Sequence, residues 1–218
     1  MIVAYFWTIT PSRIPFAFVA MAMDRFVLKA SKNVGFFKSL GTGKGETFTP
    51  KDANSLRWGL IAQVNNLDEF DESFVIKQWR KNCASEFRAV IEPISSHGKW
   101  AGEEPFRPTV ADWNGHVIAI TRARIKWLQN FRFWKAVPPV TASLKAAPGL
   151  IAAIGIGEAP IGLQGTFSIW QSPAALRDFA YRGEAHKAAI DATSKYSWYS
   201  EELFARFAVR DIRGSINN

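Results

Sequence analysis

The sequence predicts an α+β fold: duplicated ferredoxin-like (βαββαβ) units, packed as an α+β barrel or as two facing antiparallel sheets. Three observations predict it. Apolar runs and turn signals read β-α-β-β-α-β once over residues 1–96 and again over residues 116–218, with a crossover loop at 97–115. The halves also share one glycine spacing at one place in that order, Gly35, Gly41 and Gly43 in GFFKSLGTG against Gly149, Gly155 and Gly157 in GLIAAIGIG. Finally, 48% hydrophobic residues, with 17 Phe and 9 Trp in 218 residues, are enough to bury both faces of such sheets in one compact domain. A single continuous mixed sheet is the alternative arrangement.

Each element has its own signal. Ile2–Thr10 is an apolar strand. Pro11 and Pro15 then lead into an apolar helix over residues 16–29. GFFKSLGTG is a second strand running into the glycine-rich loop GTGKGETFTPKDANS, and RWGLIAQV is the third. Residues 67–82 place Phe70, Phe74, Val75 and Ile76 near one side of a helix, and EFRAVIEPI closes the first unit. In the second half HVIAITRARIK is a strand, and residues 128–147 are helical with a break or restart expected at Pro138-Pro139. GLIAAIGIGE and GTFSIW follow as strands. Ser172-Pro173 supplies an N-cap and first-turn proline for a helix carrying His186, and ELFARFAVRDI closes the set. The connecting SSHGKWAGEEPFRPTVADWNG, rich in Gly, Pro and acid, contains His97.

Charge and composition exclude several classes. The formal charge of +8 is spread singly among apolar residues, as in Arg122, Arg124, Lys126, Arg132 and Lys135. Without a run of like charge or a recognition motif, nucleic acid is not the expected partner. Cations set beside Trp and Phe suit contact with a membrane surface instead. The lone Cys83 forms no intramolecular disulfide and suits a reducing compartment. The apolar N-terminal run from Ile14 to Met23 is too short to cross a bilayer and has no basic leader, so a cytoplasmic protein is expected.

Motifs narrow the chemistry further. GTGKGET meets neither the P-loop nor the dinucleotide spacing; a hairpin with positive φ at Gly41, Gly43 or Gly45 is the simpler reading. No nucleophile elbow occurs, and His97, His116 and His186 lack ligand-type spacing, so zinc and non-haem iron are excluded. A haem needs only one axial residue from the protein. Leu176, Phe179, Gly183, His186 and Ile190 fall on one helical stripe, which leaves His186 either a core histidine or an axial ligand, with Gly183 giving clearance one turn away. Arg122 shares a strand face with Ile118 and Ile120. It is either an inward cation for a haem propionate or bound oxygen, or a cation at the barrel rim. His97 is a distal acid/base or a solvated loop residue. Glu158 reads as a strand-end turn residue, and Glu201 and Glu202 as exposed surface.

The ordered blocks GFFKSLGTGKGETFTP, ITRARI, FRFW, GIGEAP, QGTFSIW, His186 and WYSEELFARF resemble the spheroidene monooxygenase family over about residues 35–209. The resemblance implies a haem-dependent oxygenase, a relative of dimeric α+β barrel haem proteins, that installs a keto group on an acyclic carotenoid. It implies haem b with His186 as iron ligand and Arg122 as the strand arginine of the site; the helical stripe adds Gly183 and Phe179 beside the cofactor, and Arg122 and His97 are the catalytic candidates. A lipophilic substrate, dioxygen and an external electron donor are the implied partners. A peripheral membrane contact, and a homodimer formed through an exposed barrel edge, are further expectations. Related haem barrels dehydrate aldoximes, and a haem or lipophile carrier would keep His186 and the pocket, so both readings stand beside the oxygenase.

Overall fold

The computed structural model describes residues 1–44, 49–158, 163–182 and 198–216. Thirteen elements follow in order: β1 (Ile2–Thr8), α1 (Ile14–Ala30), β2 (Val34–Gly43), β3 (Ala53–Val64), α2 (Leu67–Asp71), α3 (Phe74–Asn82), β4 (Ser85–Gly98), β5 (Val117–Ile125), α4 (Asn130–Lys145), β6 (Leu150–Gly157), β7 (Leu163–Trp170), α5 (Pro173–Arg182) and β8 (Tyr199–Arg213). The strands close into one barrel in the order β1-β3-β2-β6-β7-β5-β8-β4. Every pairing is antiparallel. The chain therefore folds as the predicted α+β barrel, within one copy. The described barrel offers no free edge of the kind on which the homodimer expectation rested.

The two halves meet at two seams. β4 and β8 pair along their length, from Arg88–Arg213 to Gly98–Leu203. β2 and β6 touch only at Gly41–Gly157, Thr42–Ile156 and Gly43–Gly155. The glycine echo read in the sequence is thus this seam, each motif pairing with its own copy. Gly41 and Gly43 are not among the described positive-φ glycines, which are Gly98, Gly102, Gly149 and Gly214. Gly45 lies outside the described residues.

Alternation along the strands fills the lumen. Ile2, Ala4 and Phe6 of β1, Ile118 and Ile120 of β5, and Leu203, Ala205 and Phe207 of β8 all point inward into one buried cluster. Phe6 packs edge-on against Phe167 at 4.9 Å between centroids. Trp100 and Phe106 of the crossover segment plug one end against Phe36 and Phe207.

The outer face of the first half is filled equally well. Tyr5 stacks on Trp7 at 5.2 Å, Trp7 on Trp79 of α3 at 4.9 Å, and Phe16 of α1 meets Trp79 edge-on. Buried Asp24 ties α1 to α3, accepting hydrogen bonds from Trp79 Nε1 at 2.8 Å and from Gln78.

Two expected helices differ in detail. The helix over 67–82 divides at Ser73, whose Oγ caps α3 while Asn66 Oδ1 caps α2; tandem caps start two short helices where periodicity reads one. Conversely, α4 runs unbroken through Pro138-Pro139. Both prolines are exposed, so the carbonyls that lose their helical donors can meet water, and Thr141 Oγ1 donates to the Pro138 carbonyl at 3.0 Å.

Candidate functional site

Among the described residues the lumen is lined by closely packed apolar side chains, and Arg122 belongs to that packing. It lies inward in line with Ile118 and Ile120 and is 3% exposed. Its Nε and Nη2 donate to Glu158 Oε1 at 3.2 and 3.1 Å, and Nη1 donates to Glu201. Trp100 Nε1 donates to the same Glu158 oxygen at 2.6 Å, and Lys38 Nζ lies 3.8 Å from the other. Glu201 also accepts from the Ala101 and Gly102 N–H groups at 3.0 and 2.6 Å. Burial pushes the Glu201 carboxyl up, but the Gly102 N–H, Arg122 and the Ala101 N–H outweigh it and hold the group below the usual carboxylate range. Glu201 is therefore part of a half-buried charge cluster rather than exposed surface, and Glu158 is more than a turn residue. The sequence missed them because an acid at a strand end looks the same whether it faces water or an arginine.

The opposite face of the same strands is different. α5 packs there, with buried Leu176 against Val117, Ala119 and Trp170, and Phe179 half-buried over Trp170 at 5.2 Å between ring centroids. Gly183 and His186 lie outside the described residues. His97 sits on β4, not in the crossover loop, because β4 extends to Gly98. It is exposed and pairs with Phe204, whose other neighbour is Thr121. Arg122 and His97 thus occupy opposite faces of the sheet. Only His97 shares a face with α5.

Most side chains on the floor of that outer face are small. Cross-strand rows run Ala119–Ser168–Ala153, then Thr121–Thr166–Gly155, then Ala123–Gln164–Gly157; Ala119, Ser168 and Gln164 are buried. From strand spacing and rise the three rows span about 10 Å by 13 Å. On α4, buried Asn130, Val137 and Thr141 and half-buried Trp134 recur at helical intervals. On this stripe Asn130 Oδ1 and Trp134 Nε1 are buried without hydrogen-bond partners among the described residues, a costly condition that a ligand can relieve. Arg206 borders the floor beside Ala119, half-buried, and its guanidinium has no hydrogen-bond or ion-pair partner among the described residues. Sequence reasoning passed over Arg206, although its alternation with inward Leu203, Ala205 and Phe207 marks it as outward.

These residues fit a flat, mostly apolar cofactor with an acidic edge. Among the described residues no group of three His, Cys, Asp or Glu converges as a metal site; haem asks only for one axial ligand. Elsewhere, a groove of about 610 Å³ opens beside the crossover segment, with Met1, Ile2, Phe36 and Pro105 lining it alongside Glu92, Glu103 and Arg107.

The fold and its faces define a single-chain α+β barrel whose candidate ligand surface lies outside a closely packed lumen. No family model matches the chain. It is 36% identical over 211 residues to the spheroidene monooxygenase of Rhodobacter capsulatus, covering 94% of this chain and 87% of that protein. It is also 34% identical over 199 residues to that of Rubrivivax gelatinosus, covering 87% and 76%. The match to the Cereibacter sphaeroides protein is 34% over 180 residues, covering 80% of this chain and 55% of that one. The chain belongs to the spheroidene monooxygenase family and is an oxidoreductase of the monooxygenase type. Among solved structures, an aldoxime dehydratase in complex with butyraldoxime superposes with a TM-score of 0.60 at 12% identity, covering 96% of this chain and 79% of that one. A second aldoxime dehydratase gives 0.60 at 8%, covering 96% and 81%. At such identities the likeness is one of fold.

Proposed function

We propose that the protein is a haem-dependent monooxygenase that introduces a keto group into a carotenoid or similar lipophilic substrate. The observation that carries this reading is the small-residue floor on the outer face of β5, β6 and β7, bordered by α4 and α5, in a barrel whose lumen is closely packed. The names of the relatives, each a spheroidene monooxygenase, support the substrate class.

In this reading His186, which follows α5 in sequence, would hold the iron, and Phe179 and Gly183 would lie beside the cofactor. When bound, haem supplies an iron centre that activates dioxygen with electrons from an external donor. The chain's own residues do the rest. The Ala, Thr, Ser and Gly floor lets a flat group lie close to the sheet, and α4 and α5 shield it from water. His97, on the same outer face two strands from β5, is the acid/base residue of this reading. Arg122, on the far face, braces β5 against β6 and β8 and so acts on the floor by positioning. Each oxygenation consumes one dioxygen, two electrons and two protons; a second one at the same carbon gives a geminal diol, which loses water to leave the ketone.

A peripheral membrane contact, made from the cytoplasm, belongs to the proposal because the substrate dissolves in lipid. Trp127, Leu128 and Phe131 at the start of α4 are 74%, 86% and 80% exposed, beside exposed Arg124, Lys126 and Arg132. No acidic residue occurs between Asp112 and Glu158. An apolar wedge ringed by cations suits an anionic bilayer surface. No described helix is long and apolar enough to cross a membrane.

The test is absorption spectroscopy of protein expressed with a haem precursor, followed by turnover of a carotene under labelled dioxygen. A Soret band lost in His186→Ala, and label in a ketone product, are expected. No Soret band, or one unchanged in His186→Ala, refutes the haem assignment. Nitrile formed from an aldoxime without air would instead make the protein a dehydratase. Ready haem release with no turnover would make it a carrier.

A further inference from the structure

The strand registers allow the two halves to be compared residue by residue. Gly41 and Gly43 of one seam strand superpose on Gly155 and Gly157 of the other. Gly41 pairs with Trp58, and Gly155 with Thr166. Trp58 in turn pairs with Trp7, and Thr166 with Thr121. One row on, Tyr5 lies between Leu60 and Arg88, and Ala119 lies between Ser168 and Arg206. The second half therefore carries Ala119, Thr121, Thr166 and Ser168 where the first carries Tyr5, Trp7, Trp58 and Leu60. It keeps the arginine: Arg206 stands where Arg88 does.

The two arginines have opposite surroundings. Arg88 is 3% exposed and fully engaged, with Nη2 2.8 Å from Asp71, Nη1 2.8 Å from Asp211, and Nε donating to Tyr5 Oη at 3.3 Å. Arg206 faces a methyl group where Arg88 faces the Tyr5 hydroxyl, and no carboxylate among the described residues reaches it. A half-buried guanidinium without a counter-ion is costly unless something supplies one. At the registers that carry Tyr5, Trp7, Trp58 and Leu60 in the first half, the side chains beside it are small ones, Ala119, Thr121, Thr166 and Ser168.

We propose that Arg206 is the anion-recognition residue of this outer face, pairing with a carboxylate carried by a flat, largely apolar ligand. The bulk of the ligand replaces the four large side chains, and its carboxylate replaces the acids that satisfy Arg88. The proposal rests on the functional reading above only in naming haem as that ligand, through its propionates. Bidentate geometry makes arginine, rather than lysine, the suitable partner.

The experiment titrates the purified full chain, freed of haem, with haem and with haem dimethyl ester, whose propionates are blocked. Arg206→Gln should weaken haem binding roughly tenfold to hundredfold and leave ester binding within about twofold. Its urea midpoint should stay at the wild-type value, whereas Arg88→Gln should lower it. Equal binding of haem by wild type and Arg206→Gln, or equal loss of both forms, overturns the proposal, as does unfolding of Arg206→Gln like that of Arg88→Gln. The iron-free flat anion 1-anilinonaphthalene-8-sulfonate separates the two readings. If wild type binds this probe but not haem, and Arg206→Gln loses the probe, the haem assignment falls and the anion site stands. If neither ligand binds, or probe binding is independent of Arg206, the anion site falls too.

Discussion

Replacing Arg122 by methionine tests whether the lumen cluster is structural. Arg122 is 3% exposed and is held by Glu158 and Glu201, whose side chains are 20% and 16% exposed. Methionine matches much of the apolar stem but leaves two carboxylates facing each other at the end of a packed lumen, beside Trp100. Removing one partner from a buried pair costs about 3–5 kcal/mol, and the partial exposure of both acids puts this site near the lower end, about 3 kcal/mol. That is a large share of the ~5–15 kcal/mol available to a domain. The pH dependence has a definite sign. In the wild type Glu201 is held below its usual value, so its contribution is present above the ordinary carboxylate pKa and is lost as pH falls through the depressed one. In Arg122→Met the guanidinium is gone while burial and the Gly102 and Ala101 N–H groups remain, so the carboxyl moves up from its wild-type position and the stability gap to the wild type narrows on acidification. Urea unfolding followed by circular dichroism should show a gap of about 3 kcal/mol near neutral pH that narrows toward pH 5. Adding Glu158→Gln and Glu201→Gln should recover much of the loss. A gap below about 1 kcal/mol at neutral pH, or one that widens in acid, would refute the reasoning.

Other expectations follow from the same structure. Burial pushes the Asp24 carboxyl up against the hydrogen bonds from Trp79 and Gln78; its charge therefore costs stability as pH rises from the ordinary carboxylate pKa to the raised one. Asp24→Asn should flatten that fall, whereas Asp24→Ala should lose about 2 kcal/mol by stranding the Trp79 N–H, both read from urea curves across pH. Gly165 pairs with Arg122, and a Cβ there would come within 3.0 Å of the Arg122 Cα and closer still to the Thr121 carbonyl; Gly165→Ala should cost about 2 kcal/mol in the same assay. In co-sedimentation with phosphatidylglycerol-rich vesicles, Trp127→Ser with Phe131→Ser should lower the partition coefficient at least about tenfold, and high salt should weaken wild-type binding. Vesicle binding that is unchanged in the variant would discard the wedge.

Much of the fold was legible because periodicity and turn chemistry are local. The strand over Ile2–Thr10 and the helix N-cap at Ser172 needed no partner to be recognised, and the glycine echo pointed to a duplication that the seam makes concrete. What stayed hidden depends on which face a residue takes once the barrel closes. ITRARI announces an arginine on a strand but does not say that its face is the lumen, so a propionate partner and a pair of internal glutamates look alike in sequence. Glu201 could not be told from surface, because its partners Arg122, Ala101 and Gly102 are 79 to 100 residues away. His97 was legible as a histidine near a loop and not as a strand residue, since the strand extends past Pro93 only by pairing with β8. Arg206 had a usable signal that went unused: Arg88-Ala89-Val90 in one closing strand is echoed by Arg206-Phe207-Ala208 in the other.

That last echo bears on how a duplicated barrel acquires a site. A fold built twice from one plan offers two equivalent outer faces, each needing large side chains to fill the space beneath its helices. The first half uses Tyr5, Trp7, Trp58 and Trp79 for this and pairs its buried arginine with two aspartates, which makes it a scaffold. The second half carries small residues at the same registers and leaves its arginine without acids among the described residues. Such a change would cost a domain several kcal/mol if nothing took the place of the lost side chains. The cost is tolerable when a ligand restores the missing contacts, and binding then also stabilises the fold by mass action. Hence the second half should be the less stable one without ligand and should gain protection when ligand binds, while the first half changes little. Amide hydrogen exchange can read both halves in one sample, with β5, β7 and α4 gaining protection on addition of haem and β1, β3 and α3 serving as the internal reference. Uniform protection in both halves would show that the ligand acts on global stability alone, and the division between scaffold and site would have to be abandoned.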